Sequence, residues 1–292
     1  MAQLSNTQQN LFPAWDLAGK AYRSLFKHFA YALRISWAWI ALVAGAVVAA
    51  DLITAPAGVE ASGEETSNWL TVLLLWLLLG AAVSSIAVAW HRLLLLGEKV
   101  SDIVYLRLDA HVAVYFGYAM AVFLISLAPY ALLWAVTSAV TYGDTLIFTP
   151  AEDGRTPADV LFSQQGLFGF PLFQIAAFIL FVILNARLGL ALPGVAIGAR
   201  ERTLIGAWKT TKGHSWGLFV GTGICVLPYL ILMGLIRGSG LEFSPADGAL
   251  LHILDRVGMQ TLFVLLGLVG VGFLAQCFRY FHPASSAMVR RS

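Results

Sequence analysis

Apolar side chains run along this chain in long stretches, separated by short polar segments. The two-residue alternation of a half-buried strand is absent, which sets a β-barrel aside. A bilayer core about 30 Å thick takes roughly 20 mostly apolar residues as one helix. Six stretches meet or approach that length: 35–53, 69–96, 112–142, 170–192, 216–236 and 257–278. Pro129 sits inside the third, where a bend is expected. The pattern predicts an all-α fold, a polytopic transmembrane helical bundle of six spans. The whole chain, 1–292, reads as one integral membrane domain. Residues 1–34 form an amphipathic lead-in, 35–281 hold the six helices, and 282–292 form a tail. The lead-in is too long for a secretory signal, so the first span is expected to be retained.

Composition sharpens this reading. The chain is 59% hydrophobic and 12% charged, about half the charged share of a soluble domain. Lipid is the solvent such a chain requires. A net charge of +2 is too small to point to nucleic acid. Cys225 and Cys277 both fall in apolar runs and read as small buried hydrophobes. No Cys/His cluster has zinc spacing, no glycine loop follows a strand pattern, and no GxSxG occurs. No metal or cofactor is expected.

Charge distribution sets the orientation. With six spans, the N-terminal segment, the second and fourth loops and the C-terminus hold fifteen of the eighteen lysines and arginines. Only Arg155, Arg237 and Arg256 fall on the other side. Basic loops stay cytoplasmic, so both termini are expected there, in a bacterial cytoplasmic (inner) membrane.

Three arginines recur at the inner ends of the even spans: Arg92 in "AWHRLLLL", Arg187 in "LNARLGLAL" and Arg279 in "AQCFRYFHP". Each can keep its stem in acyl chain while its guanidinium reaches phosphate. Lys209 and Lys212 join them as lipid-phosphate candidates. "RSLFKHFAYALRISW" (23–37) and "RTLIGAWKTTKGHSW" (202–216) also share an arginine, a hydroxyl residue, a leucine and a closing Ser-Trp. Together these matches predict three repeated units, each a cytoplasmic amphipathic helix followed by a helical hairpin. In the first, Trp15, Ala18, Tyr22, Leu25, Phe26, Phe29 and Leu33 fall at helical spacing, with Lys20, Arg23 and Lys27 on the other face. Such a basic helix is expected to lie flat on an anionic leaflet. Gly213 is expected to end the short helix before the fifth span. A second interfacial helix is expected on the outer side from Thr156 and Pro157.

Polar groups at membrane depth are sparse. Ser84, Ser85, Thr137, Gln174 and Asn185 could line a polar cavity, and such a cavity would favour a transporter or passive pathway for a small or amphiphilic solute. Asn185 and Gln276 alternatively bridge helices. The glycine runs Gly217–Gly221 and Gly267–Gly272 predict close helix contacts. A membrane enzyme would require His91, His111 and Asp109 to meet; the histidines otherwise read as loop or interface residues.

The "AVAWHRLLLLGE" and "RERTLIGAWKTTKGHSW" segments resemble a group of bacterial multi-pass membrane proteins. These are similar to the membrane domain attached to some glycerophosphoryl diester phosphodiesterases. The resemblance rests on Trp90, His91 and Arg92, and on Trp208, Thr211, Gly213 and Trp216. It implies a six-helix inner-membrane fold. The soluble phosphodiesterase domain is missing, so the resemblance carries over no catalytic residue. The expected role is non-enzymatic: membrane organisation or lipid handling through a basic cytoplasmic face. The expected partners are anionic lipid headgroups, with a protein partner at that face as a further candidate.

Overall fold

The computed structural model describes residues 12–54, 69–147, 164–199, 203–238 and 249–283. Their helices are α1 (Ala14–Lys27), α2 (Phe29–Thr54), α3 (Trp69–Leu96), α4 (Ala110–Ile147), α5 (Gln164–Gly189), α6 (Ala191–Ala196), α7 (Leu204–Thr210), α8 (Ser215–Gly238) and α9 (Ala249–Phe281). No strand occurs among the described residues. Six of the helices, α2 to α5, α8 and α9, provide stretches long and apolar enough to cross a membrane. The six-span, all-α bundle expected from the sequence is therefore the observed architecture.

Three helices start six or more residues before the expected position. α2 starts at Phe29 rather than Ile35. The helical ladder almost runs through the joint: the His28 N–H donates to the Ser24 carbonyl, and the Ala32 N–H to the His28 carbonyl. α9 starts at Ala249 rather than Val257, because "ALLHILDR" contains no Gly or Pro to stop it. Asp255 and Arg256 therefore lie within the last helix, not in a loop. α5 starts at Gln164 and already contains Leu167, Phe168 and Phe170; the expected outer helix at Thr156 and Pro157 lies outside the described residues.

Burial divides the bundle along its length. One half packs tightly. α1, the first part of α2, the ends of α3, α5 and α9, and the start of α8 share one core that includes Trp39, Trp90, Phe273 and Phe278. In the other half, leucines at 70, 73, 74 and 77 on α3, 230, 232 and 235 on α8, and 250, 251 and 254 on α9 are exposed, as lipid-facing helix surfaces are. Glycines let the packed half close. A Cβ at Gly217 would stand 2.6 Å from the Phe12 ring, and one at Gly221 would overlap the Phe273 ring. Of the second glycine run, Gly272 faces the Trp90 indole at 3.4 Å, whereas Gly267 and Gly270 face open space. The expected close contacts hold at Gly217, Gly221 and Gly272 only.

Two further devices knit this half. Pro228 lies inside α8 and has no N–H for the Ile224 carbonyl. The Tyr22 hydroxyl, from α1, donates to that carbonyl at 3.1 Å. Gly97, at φ +78°, turns the chain off α3. The extended segment that follows is pinned to the bundle at four points. The Val100 N–H donates to the Tyr31 hydroxyl, Arg34 to the Asp102 carbonyl, Trp37 to the Ile103 carbonyl, and Ser85 to the Arg107 carbonyl.

The two Ser-Trp steps are not structural equivalents. Ser36 and Trp37 lie well inside α2, with the Ser36 hydroxyl donating to the Ala32 carbonyl at 2.7 Å. Ser215 and Trp216 open α8, after Gly213 at φ +86° has broken the chain from α7. That break falls at the glycine expected to end the short helix.

Candidate functional site

α1 carries two apolar surfaces. Ala14, Leu17, Ala18, Ala21 and Leu25 are buried against α8 and α9, while Trp15 and Phe26 remain 74% and 73% exposed. The helix is thus built into the bundle wall and does not lie apart on a flat surface. Its basic side chains are left facing outward beside the end of α9. Leu17, Lys20, Arg23, Ser24 and Lys27 of α1, with Gln276, Arg279 and Tyr280 of α9, enclose an open groove of about 550 Å³. Four of these eight side chains are cationic. None of the eight is acidic; beside them Asp16 meets Lys20 at 2.5 Å and Arg23 at 3.8 Å. The groove thus carries a surplus of positive charge. Next to Lys27, His28 is held below its ordinary pKa, first by burial and then by the charges of Lys27 and Lys99.

The three repeated arginines have three different environments. Arg279 lines the groove and donates to the Leu94 carbonyl at the end of α3. Arg92 pairs with Glu98, Nε to Oε2 at 2.8 Å, just past the end of the same helix. Arg187 turns inward. It is only 9% exposed, its Nε donates to the Thr211 hydroxyl at 3.0 Å, and its Nη2 donates to the Trp208 carbonyl at 2.8 Å. The guanidinium also stacks 3.5 Å over the Trp208 ring. Arg187 is a clamp between α5 and α7, which removes it from the groups facing a phosphate. Lys209 and Lys212 are exposed on and just after α7; neither lines the groove.

Of the residues expected to line a polar cavity, the side chains of Ser84, Ser85 and Asn185 are described. Ser84 and Ser85 are buried; the Ser85 hydroxyl donates to the Arg107 carbonyl, and its own carbonyl accepts from the Tyr105 hydroxyl. Asn185 is half-buried on α5. The side chains of Thr137 and Gln174 lie outside the described residues. His91, His111 and Asp109 do not meet. His91 is fully buried, its Nε2 is 3.3 Å from the Tyr115 hydroxyl, and its Nδ1 has no hydrogen-bond partner. Reading it as a loop or interface residue is corrected: it lies in the packed half. Asp109 instead pairs with Arg107, lies 3.8 Å from His111, and accepts the Val112 N–H at 3.0 Å as the N-cap of α4. No group of three or more His, Cys, Asp or Glu poised for a metal occurs among the described residues.

Sequence reasoning placed Lys20, Arg23 and Lys27 on one face of α1 but did not join them to Arg279 and Gln276. The joining depends on how α1 packs against α9, a contact between the two extremes of the chain. The fold and this groove define a polytopic α-helical membrane protein with one basic, tightly packed end. Comparison with protein-family models, curated proteins and solved structures gives no match for this chain.

Proposed function

We propose that this protein binds anionic lipid headgroups through the groove between α1 and α9, as a non-enzymatic component of membrane organisation or lipid handling. The observation that carries the reading is the convergence of Lys20, Arg23, Lys27 and Arg279 on one open groove, with Gln276 and Ser24 as neutral partners. A phosphate fits this donor set: guanidinium groups offer forked N–H pairs and lysines offer point charge. The exposed indole of Trp15 and ring of Phe26 flank the basic face as amphipathic anchors do. Fifteen of eighteen basic residues lie in segments that share this side under the six-span arrangement. We accordingly place both termini in the cytoplasm and the protein in a bacterial inner membrane.

The test has two arms. Native mass spectrometry of the intact protein, released from mixed phosphatidylglycerol and phosphatidylcholine vesicles, should show phosphatidylglycerol retained. Each basic residue near an anionic surface contributes about 1 kcal/mol, so K20Q/R23Q/K27Q should lower that retention at least tenfold. Unchanged retention contradicts the reading. In cells, Ser101→Cys should resist periplasmic labelling by a membrane-impermeant maleimide; labelling there contradicts the orientation.

A further inference from the structure

The open half of the bundle holds a second cavity, of about 430 Å³ and half-enclosed, which differs from the basic groove in carrying an acid beside its base and a largely apolar wall. Four helices build it: α2 through Ala44 and Val47, α3 through Leu79, α8 through Tyr229 and Met233, and α9 through Asp255, Arg256, Gln260 and Phe263. Helix geometry gives its depth. At 1.5 Å per residue, Val47 lies roughly 10 Å from the Thr54 end of α2, and Leu79 roughly 15 Å from the Trp69 end of α3. Tyr229 lies roughly 14 Å from the Gly238 end of α8, and Asp255 roughly 9 Å from the Ala249 end of α9. α9, at 33 residues, is longer than a hydrocarbon layer about 30 Å thick requires, and its apolar span opens at Ile253, so Asp255 and Arg256 sit near the edge of that layer and the cavity reaches inward from them to Tyr229 and Leu79.

An acid, a base and an amide that share one half-enclosed cavity at the edge of the hydrocarbon offer a ligand both signs of charge beside an apolar wall. Here the remaining wall, from Leu79, Met233, Met259 and Phe263, is apolar. The combination is selective. A purely anionic headgroup would meet the Asp255 carboxylate, and a purely cationic one would meet the Arg256 guanidinium. A headgroup carrying both an ammonium and a phosphate can face both, with Gln260 and the Tyr229 hydroxyl as neutral partners and the acyl region along the apolar wall. The volume lies within the 300–1,000 Å³ of small-molecule sites.

We infer that the cavity formed by α2, α3, α8 and α9 binds a zwitterionic amine-phosphate headgroup, with Asp255 receiving its ammonium and Arg256 its phosphate. The natural carrier of that headgroup is either a phospholipid or the free phosphoethanolamine unit. This inference does not depend on the basic groove, which lies in the opposite half.

The intact protein in nanodiscs supplies the test, read by native mass spectrometry after exchange with phosphatidylethanolamine, phosphatidylcholine or phosphatidylglycerol. Phosphatidylethanolamine should be retained over both others. Phosphatidylcholine is the sharp control, because its quaternary nitrogen has no N–H to give Asp255 and needs no variant that could misfold. D255N and R256Q should each reduce phosphatidylethanolamine retention about tenfold, the loss expected of one charge-assisted hydrogen bond. Displacement of the lipid by soluble phosphoethanolamine would assign the site to the free headgroup; failure to displace would assign it to the lipid. Equal retention of all three lipids by the unaltered protein, or undiminished retention by both variants, overturns the inference.

Discussion

The two halves of this bundle use the same six helices in opposite ways. In the half that carries α1, glycines and aromatic rings interlock, and several polar side chains hold one segment to another. Tyr22 caps the carbonyl freed by Pro228, Ser85 holds the extended segment after α3, and Arg187 clamps α7. In the other half, leucines face outward and the polar residues Asp255, Arg256 and Gln260 surround open volume. Because lipid tails are as apolar as leucine, apolar burial alone does not drive helices together in a membrane. Close packing and hydrogen bonds must do it, and the tight glycine–ring contacts at Phe12, Trp90 and Phe273 all lie in one half. The other half is left able to admit a ligand.

The contrast can be broken most directly with two phenylalanines on one helix. Phe273 is buried and faces Gly221, whereas Phe263 is partly exposed beside the cavity. Phe273→Ala should cost about 3 kcal/mol in a reversible detergent unfolding titration, since the void cannot collapse against a rigid glycine contact. Phe263→Ala should cost less than about 1 kcal/mol in the same assay, as its ring already borders open volume. Equal losses would abolish the distinction between the halves.

Arg187 gives the next largest effect. Replacing it with Gln removes two hydrogen bonds and a cation–π contact and should cost about 2 kcal/mol. Arg187→Lys should recover little, because an ammonium cannot reproduce the fork that spans Thr211 and Trp208. Full recovery by lysine would show that charge alone matters there.

Tyr22→Phe should cost about 1 kcal/mol. In a Pro228→Ala background the backbone N–H returns to the Ile224 carbonyl, so the same change should cost less. A double-mutant cycle reads that coupling; additive costs would refute the proposed role of the hydroxyl.

The smallest effects are acid-dependent. Burial raises the Asp109 pKa, but the Val112 N–H, Arg107 and His111 together outweigh it and leave a net lowering. Its stabilisation is present above the ordinary carboxylate pKa of about 3.9 and is lost as pH falls through the lower folded value. The His28 pKa is also lowered, so the folded state resists its protonation and stability falls as pH drops below about 6.5. His28→Ala should flatten the stability profile as pH falls below about 6.5, and Asp109→Ala should flatten it below about pH 4. Unaltered profiles would remove both groups from the acid response.

Span number and helix class were legible because length and hydropathy are local properties of the chain. The second span, α3, was placed at its observed ends, Trp69 and Leu96. What escaped was anything set by contact between distant segments. Arg187 and Arg279 look alike in sequence, each near the end of a long apolar run. One became a buried clamp because Trp208 and Thr211 fold back onto it, and the other lines a groove because α1 packs beside it. His91 read as an interface residue because it adjoins Arg92, yet the start of α4 covers it through Tyr115. The helical start of α9 was missed because charge at 255 and 256 looks like a loop, although helix propensity carries through it.

A single experiment addresses both ends of the molecule together. The intact protein is taken from vesicles of mixed phosphatidylglycerol and phosphatidylethanolamine, and retained lipids are identified by native mass spectrometry. The account predicts two separable losses: K20Q/R23Q/K27Q sheds phosphatidylglycerol and keeps phosphatidylethanolamine, while D255N/R256Q does the reverse. Loss of both lipids together in either variant, or of neither in both, would contradict a bundle with two chemically distinct ends.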